Sequence, residues 1–343
     1  MPQIAAAAAG TAPASALDRL TAALSGDMAQ VDALIRSHMA SQHAPRIPEV
    51  AAHLIEAGGK RVRPLLTLAS ARLVAGKAGL RDNHAHLLAT AVEFIHTATL
   101  LHDDVVDESS QRRGRPTANL LWDNKTSVLV GDYLFARSFQ LMVGTGSITV
   151  LDILADAAAT IAEGEVLQLT AAQNLATNEA TYIDIVRGKT AALFSAATEA
   201  GGVVGGATAE QQKALFDYGD ALGIAFQIVD DLLDYGGASG VIGKNTGDDF
   251  RERKLTLPVI KAVAAADEAE RAFWRRVFEV GDQRDGDLEE ALAILTRRGT
   301  LEAARGDALD WAARAKAHLS DLPAGEMREL LDGLADFVVA RVA

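Results

Sequence analysis

From Leu17 onward, apolar residues recur at spacings of three and four, and no stretch of useful length alternates apolar with polar. A period near 3.6 gathers such residues on one face of an α-helix, whereas a half-buried strand needs a period of two. The chain is thereby confined to helix packed on helix. Composition points the same way. Hydrophobic residues make up 49% of the 343, which is enough for a large core, yet only 5% are aromatic. A chain rich in alanine and leucine and poor in aromatics favours helices over sheets. The spacing predicts an all-α fold with one core over residues 17–343. An Ala-rich lead-in, 1–16, is read as disordered and set outside the fold.

Punctuation divides the helical pattern. "SQHAPRIP" (41–48) ends the first helix, and "EAGGKRVRP" (56–64) reads as a loop whose Pro64 suits the first turn of the next. Asp82 or Asn83 is the expected cap of a long helix running to about Asp107. "SSQRRGRPT" (109–117) reads as a loop, with helices to follow at 124–143, 148–173 and 178–200. "GGVVGG" (201–206) reads as a separator before a long helix over about 208–235. Residues 236–249 read as a Gly-rich loop and 253–343 as shorter helices.

The formal net charge of −13 argues against a nucleic-acid partner, which calls for a basic face. The absence of cysteine rules out disulfides and thiolate metal sites. No uninterrupted apolar run reaches membrane-spanning length, and "MPQIAAAAAGTAPASA" lacks the positive start of a signal peptide. The expected location is cytoplasmic.

Against this apolar background, "LLHDDVVDES" places Asp103, Asp104 and Asp107 directly behind two leucines, where carboxylates are costly to desolvate. "FQIVDDLLDYGG" repeats the D-D-x-x-D pattern as Asp230, Asp231 and Asp234, 127 residues later. On a helix, i and i+4 share a face, so each motif clusters its carboxylates on one side. Like charges this close require a cation. An oxygen-only donor set suits a hard ion, and Mg²⁺ takes one or two carboxylates while water and substrate phosphates fill its other positions. Two such clusters facing each other across a bundle suit several Mg²⁺ around one diphosphate. A single motif is equally well a solvated acidic face; two copies on apolar helices are not.

Positive charge lies nearby in sequence. "GGKRVRP" supplies Lys60, Arg61 and Arg63 behind a glycine pair at a helix start, where backbone can approach an anion. "QRRGRP" supplies Arg112, Arg113 and Arg115, whose forks match phosphate oxygens. Lys189, Lys244 and Lys254 complete the set. A Walker loop is excluded, because Ile183 and Ala238 stand where its first glycine is required.

The blocks "GGKRVRP", "EFIHTATLLHDDVVDESSQRRGRPT", "GEVLQL", "GKTAALF", "GIAFQIVDDLLDY" and "GKNTGDDFRERKLTLP" together resemble the trans-type, head-to-tail polyprenyl diphosphate synthases, in that family's order and over roughly residues 50–260. The resemblance implies a helical bundle around a deep central cavity, usually a homodimer. It implies that Asp103, Asp104, Asp107, Asp230, Asp231 and Asp234 bind Mg²⁺, roughly three ions per site with substrate bound, and through them the allylic diphosphate. Arg112, Lys189 and Lys254 would contact that diphosphate, with Lys244 near it. Lys60, Arg63, His96 and Arg113 would hold isopentenyl diphosphate, and Thr190 and Gln227 would sit beside the reacting carbons. Arg253 departs from the pattern, since many members carry glycine there.

The implied reaction joins an allylic diphosphate such as farnesyl diphosphate to successive isopentenyl diphosphates. Counting back from Asp103, Ala98, Ile95 and Val92 share a face along which the tail would grow. Short-chain relatives close this floor with a bulky aromatic at the position of Ala98. The small residue here, flanked by Thr97 and Thr99, resembles the long-chain branch that makes quinone tails, about C40–C50. Such a tail outruns a helix of roughly 30 Å, so it is expected to bend, or to leave towards a dimer interface or, transiently, a membrane surface. The alternatives are a shorter-chain (geranylgeranyl or farnesyl) synthase, a class I terpene cyclase and a non-catalytic subunit of a heteromeric synthase. A cyclase normally carries a different Asn/Ser/Glu pattern at its second metal site, and non-catalytic subunits usually lose aspartates that are intact here. A phosphohydrolase built on His102 and Asp103 lacks a matching set of further histidines.

Overall fold

The computed structural model describes residues 14–80, 82–236 and 247–342. The expected lead-in up to residue 13, most of the Gly-rich loop and Lys244 lie outside them. The described chain is helical almost throughout, as its spacing predicts. Helix α1 (Ala16–Ala23) opens on a capping box in which Ser15 and Asp18 satisfy each other's backbone N–H groups. Leu24 separates it from α2 (Ser25–Met39), so the first helical stretch is two helices. Next come α3 (Arg46–Ile55) and α4 (Val62–Ala75), the latter with Pro64 in its first turn as expected. Helix α5 (His84–Val106) carries the first aspartate motif. Its start is capped by Asp82, whose Oδ1 accepts from the His84 N–H at 2.9 Å; Asn83 makes no side-chain cap.

The stretch read as a loop at 109–117 contains a minimal hairpin, β1 (Gln111–Arg112) and β2 (Arg115–Pro116), antiparallel with Arg112 opposite Arg115. After it run α6 (Ala118–Leu121), α7 (Asn124–Gly144) and α8 (Ile148–Ala171). The single helix expected over 178–200 is broken in register: α9 (Glu179–Val186) passes through a π-helical segment, Arg187–Ala191, into α10 (Ala192–Gly205).

The reading of 201–206 as a separator is corrected, because α10 runs on to Gly205. A Cβ on Gly201 would stand 2.4 Å from the Thr67 carbonyl oxygen, and one on Gly205 2.5 Å from that of Ala71. These glycines let α10 lie against α4 and do not interrupt the helix. Helix α11 (Ala209–Gly236) carries the second aspartate motif. The remainder comprises α12 (Asp248–Arg251), α13 (Leu257–Ala264), α14 (Glu268–Trp274), a π-helical turn Arg275–Val280, α15 (Asp287–Arg297), α16 (Thr300–His318) and α17 (Glu326–Ala340). At nineteen residues α16 is not short, contrary to expectation.

Helix α5 packs chiefly on α7, α10 on α4 and α11, and α11 on α16, so both aspartate-bearing helices are central. Their apolar sides belong to one large cluster that includes Leu88, Phe94, Leu101, Phe194, Leu222 and Ile228. A smaller cluster gathers Tyr235, Phe250, Trp274, Phe278 and Leu295 near the end of α11, and Leu255 and Leu301 pack against both. Outward faces of α7 and α8 leave Leu129, Val143, Ile148, Val166 and Leu169 exposed. Among the described residues, no helix is long and apolar enough to cross a membrane.

Candidate active site

The last turn of α5 presents Asp103 and Asp104, and Asp107 closes the helix by donating its N–H to the Asp103 carbonyl. Asp104 is fully buried. Its Oδ1 accepts from Arg112 Nε at 2.7 Å, while its Oδ2 is buried without a partner. The hairpin makes that contact possible. Arg113 (φ 54°) and Gly114 (φ 74°) form a tight turn of left-handed residues, the geometry that returns a two-stranded ribbon on itself. Arg112 is thereby folded back over the helix from which the chain has just emerged. The hairpin is held from outside by His53, which donates from Nε2 to the Pro116 carbonyl at 2.9 Å. Asn119 donates to the Asp104 carbonyl at 3.2 Å.

Lys254 reaches Asp107 Oδ2 at 3.1 Å across 147 residues of sequence and also meets Glu252 at 2.7 Å. Burial lowers the pKa of its ammonium group, but Asp107, Glu252 and Asp249 outweigh burial and raise it. Arg253, the departure from the family pattern, adopts φ 57°, a conformation glycine takes without steric cost. Its guanidinium lies against Gly281 and leaves Lys254 directed at Asp107.

Asp103 shares its surroundings with Lys189 and Glu165. Burial pushes its carboxyl up to about 7; Lys189 opposes the rise, and Glu165 and Asp107 add to it. Lys189 Nζ donates to Glu165 Oε2 at 2.9 Å, and Glu165 Oε1 is buried without a partner. Close approach of α8 to the π-helical segment sets this pair. A Cβ on Gly164 would stand 2.7 Å from the Lys189 nitrogen, and one on Gly188 2.9 Å from Gly164 Cα, so the two backbones meet where neither has a side chain.

In the second motif, Asp231 is held from two sides. Its Oδ2 accepts from the buried Tyr182 hydroxyl at 2.6 Å, and its Oδ1 from Gln227 Nε2 at 2.8 Å. Gln227 in turn accepts from Thr190 Oγ1 at 2.8 Å, which links the π-helical segment to α11. Asp234 accepts from the backbone N–H groups of Asp248 and Asp249 and so anchors the start of α12. Arg341 lies 3.9 Å from Asp230. Among the described residues no three acidic or histidine side chains converge as a ready-made metal cage.

A second group of cations gathers at the start of α4. Arg63 donates from Nη1 to His96 Nε2 at 3.1 Å and lies 4.7 Å from the centre of the Phe194 ring. Burial lowers Arg63 to about 10, with Arg113 contributing and Glu93 opposing. His96 is held neutral by burial and by Arg63, Arg113, Arg112 and Arg61. Because its Nε2 accepts, its proton sits on Nδ1. Arg113 reaches in over Gly59, where a Cβ would stand 2.8 Å from its Nη1. Lys60 Nζ stands 5.2 Å from the Phe337 ring centre.

Of the residues singled out from sequence, the structure gathers Asp103, Asp104 and Asp107 with Arg112, Lys189 and Lys254, and Asp231 with Thr190 and Gln227. Arg63, His96 and Arg113 form the other group. Ala98, Ile95 and Val92 are fully buried, while His96, Thr99, Leu100, His102 and Asp103 on the same helix keep some exposure. Sequence reasoning assigned no role to Glu93, Glu165, Tyr182 or Arg341. Glu93 alone left a signal, as a solitary carboxylate in the otherwise uncharged run 85–101.

A sequence profile of the polyprenyl synthetases matches residues 44–295. The octaprenyl diphosphate synthase of Escherichia coli K12 is 42% identical over 325 residues, covering 95% of this chain and 99% of the E. coli one. The crystal structure of a decaprenyl diphosphate synthase from Rhodobacter capsulatus is 71% identical and superposes with a TM-score of 0.91, covering 95% of this chain and 99% of that one. A polyprenyl synthase from Caulobacter crescentus CB15, crystallised with calcium and isoprenyl diphosphate, is 50% identical with a TM-score of 0.91, covering 97% and 100%. Matches of this extent, on a fold and a site of this geometry, mean that the chain belongs to the polyprenyl synthetase family.

Proposed function

We propose that this protein is a long-chain all-trans polyprenyl diphosphate synthase, extending an allylic diphosphate with successive isopentenyl diphosphates to about eight to ten isoprene units, a length suited to a quinone tail. The observation that carries the reading is the set of cations on the first aspartate motif: Arg112 on Asp104, Lys254 on Asp107 and Lys189 beside Asp103. Carboxylates interleaved with fixed cations suit a metal-bridged diphosphate better than either charge alone.

The residues present fit Mg²⁺. All candidate donors are oxygens, Asp104 Oδ2 is buried without a partner, and the ionised form of Asp103 is disfavoured until a cation arrives. Asp103, Asp104, Asp107, Asp230, Asp231 and Asp234 would hold the ions, roughly three with substrate bound. When bound, Mg²⁺ supplies Lewis-acid stabilisation of the departing diphosphate.

The chain's own groups do the rest. Arg112, Lys189 and Lys254, with Lys244, stabilise negative charge as it grows on the departing oxygens. Lys60, Arg63, Arg113 and the Nδ1–H of His96 hold isopentenyl diphosphate with its double bond towards the allylic carbon. Thr190 and Gln227 present oxygen dipoles beside the reacting carbons. The buried setting keeps water from quenching the allylic cation. The double bond attacks that cation, a proton leaves to the released diphosphate, and the chain is one isoprene unit longer. The tail runs along the Ala98, Ile95 and Val92 face of α5. A second copy of the chain covers the exposed apolar residues of α7 and α8, and the helices of each copy act as one domain.

The test supplies farnesyl diphosphate, labelled isopentenyl diphosphate and Mg²⁺, with a chelator control, and separates products by carbon number. Metal-dependent products of about eight to ten units support the reading. Products stopping at three or four units keep the reaction and refute the long chain. A cyclised hydrocarbon, or free phosphate without elongation, refutes the reaction itself.

A further inference from the structure

We infer that Glu93 is a positioning residue for the isopentenyl diphosphate subsite, acting through Arg61 to fix the first turn of α4 so that Lys60 and Arg63 face the substrate. The inference rests on the assignment of Lys60, Arg63, His96 and Arg113 to that substrate.

Arg61 stands at the N-cap of α4 with φ 48° and ψ 35°. A side chain other than glycine is disfavoured in this left-handed region and needs compensating contacts to stay there. Arg61 finds them in Glu93, whose Oε1 accepts from its Nη1 at 2.8 Å, and in Asp32, 4.0 Å away. Two residues on, Arg63 bonds His96. Glu93 and His96 are three apart on α5 and therefore neighbours on one face. The start of α4 is thus cross-linked twice to α5, through Arg61–Glu93 and Arg63–His96. Lys60 lies between this pinned turn and the glycine pair at 58–59.

Glu93 is only 8% exposed, and Arg61, Arg63 and Arg113 all act on its carboxylate. Three guanidinium groups in one pocket repel one another, and a bound diphosphate would relieve that repulsion. Before it binds, Glu93 is the buried carboxylate that holds the set together. A carboxylate cannot itself attract a diphosphate, so its contribution passes through the arginine it orients. The start of α4, with Lys60 just before it and Arg63 in its first turn, would otherwise be free to relax from the left-handed geometry at Arg61.

The experiment measures kcat and both substrate KM values for wild type, Glu93→Gln, Arg61→Ala and the double variant, at saturating Mg²⁺, with thermal unfolding of each. Glu93→Gln keeps the shape and removes the charge. Loss of one charge-assisted contact should raise the KM for isopentenyl diphosphate about tenfold, with the KM for the allylic substrate within about twofold of wild type. Arg61→Ala should do the same, and the double variant should be no worse than Arg61→Ala, because the two residues act in series. A merely structural role would lower the unfolding temperature and move both KM values together. An unchanged KM for isopentenyl diphosphate in Glu93→Gln, or additive penalties in the double variant, overturns the inference. If Glu93→Gln does not fold, an unchanged KM in Arg61→Ala, whose partner face is nearer solvent, overturns it equally. If wild type fails to elongate isopentenyl diphosphate at all, the functional reading itself has failed.

Discussion

Replacing Ala98 with tyrosine should shorten the product to about two isoprene units, by a length estimate that follows from helix geometry. Ala98 precedes Asp103 by five residues on α5, about 7.5 Å along the axis at the helical rise. An isoprene unit is about as long as one helical turn, roughly 5 Å. A ring at position 98 therefore meets the tail between one and two units from the diphosphate. A one-unit primer can still react, and its two-unit product no longer fits for another round. Ile95→Phe should allow about one unit more and Val92→Phe about one beyond that, since they lie roughly 12 Å and 16 Å from Asp103. All three positions are fully buried, so a tail on this face must part the contacts between α5 and its neighbours. Adding a ring to a close-packed site costs typically 1–3 kcal/mol. The assay is product analysis with labelled isopentenyl diphosphate, alongside the unfolding temperature. A folded Ala98→Tyr protein with unchanged product length would refute the reasoning, and so would one common length from all three variants.

Two further outcomes follow from buried and paired carboxylates. Tyr182→Phe removes the hydroxyl that donates to Asp231 at 2.6 Å and leaves a buried carboxylate one donor short, at a cost of about 1.5–3 kcal/mol. The urea midpoint should fall at unchanged slope and the Mg²⁺ needed for half activity should rise several-fold; an unmoved midpoint counts against the pairing. Hydrogen bonds from Arg298, then from Arg297, hold Glu270 down to about 2 from an ordinary value of 4.5. Its contribution to stability is therefore complete above about pH 4.5 and lost as pH falls towards 2. The stability gap between wild type and Glu270→Gln should be constant near neutrality and narrow below about pH 4.5, and a gap indifferent to acid would contradict this.

The helices that carry chemistry were legible because their signal is local. In α5 and α11, apolar spacing and clustered aspartates occupy one short window each. Arg112, Lys189 and Lys254 were legible as charges standing next to recognisable blocks. The glycines of 201–206 misled because sequence shows them only as poor helix formers, whereas their use is a contact with α4, more than a hundred residues away in the chain. The π-helical segment at 187–191 was hidden for a related reason, since one extra residue per turn barely disturbs a three-and-four spacing. Tyr182 and Glu93 acquire meaning only from partners 49 and 32 residues distant. Such pairings exist in the fold; the window around Tyr182 shows nothing of them, and that around Glu93 shows only a solitary carboxylate in an uncharged run.

Lys254 on Asp107, Arg341 beside Asp230 and Tyr218 bonded to Leu331 across 113 residues have a consequence for how the protein is made. A ribosome adds about 5–20 residues per second, so on the order of ten seconds or more separates the emergence of α5 from that of α17. During that interval α5 can pack on α4 and α7, but α11 lacks α16 and Asp107 lacks Lys254. The nascent chain should therefore depend on chaperone shelter until its last helices arrive, and slow synthesis late in the message should lower the yield of active protein more than an equal delay early on.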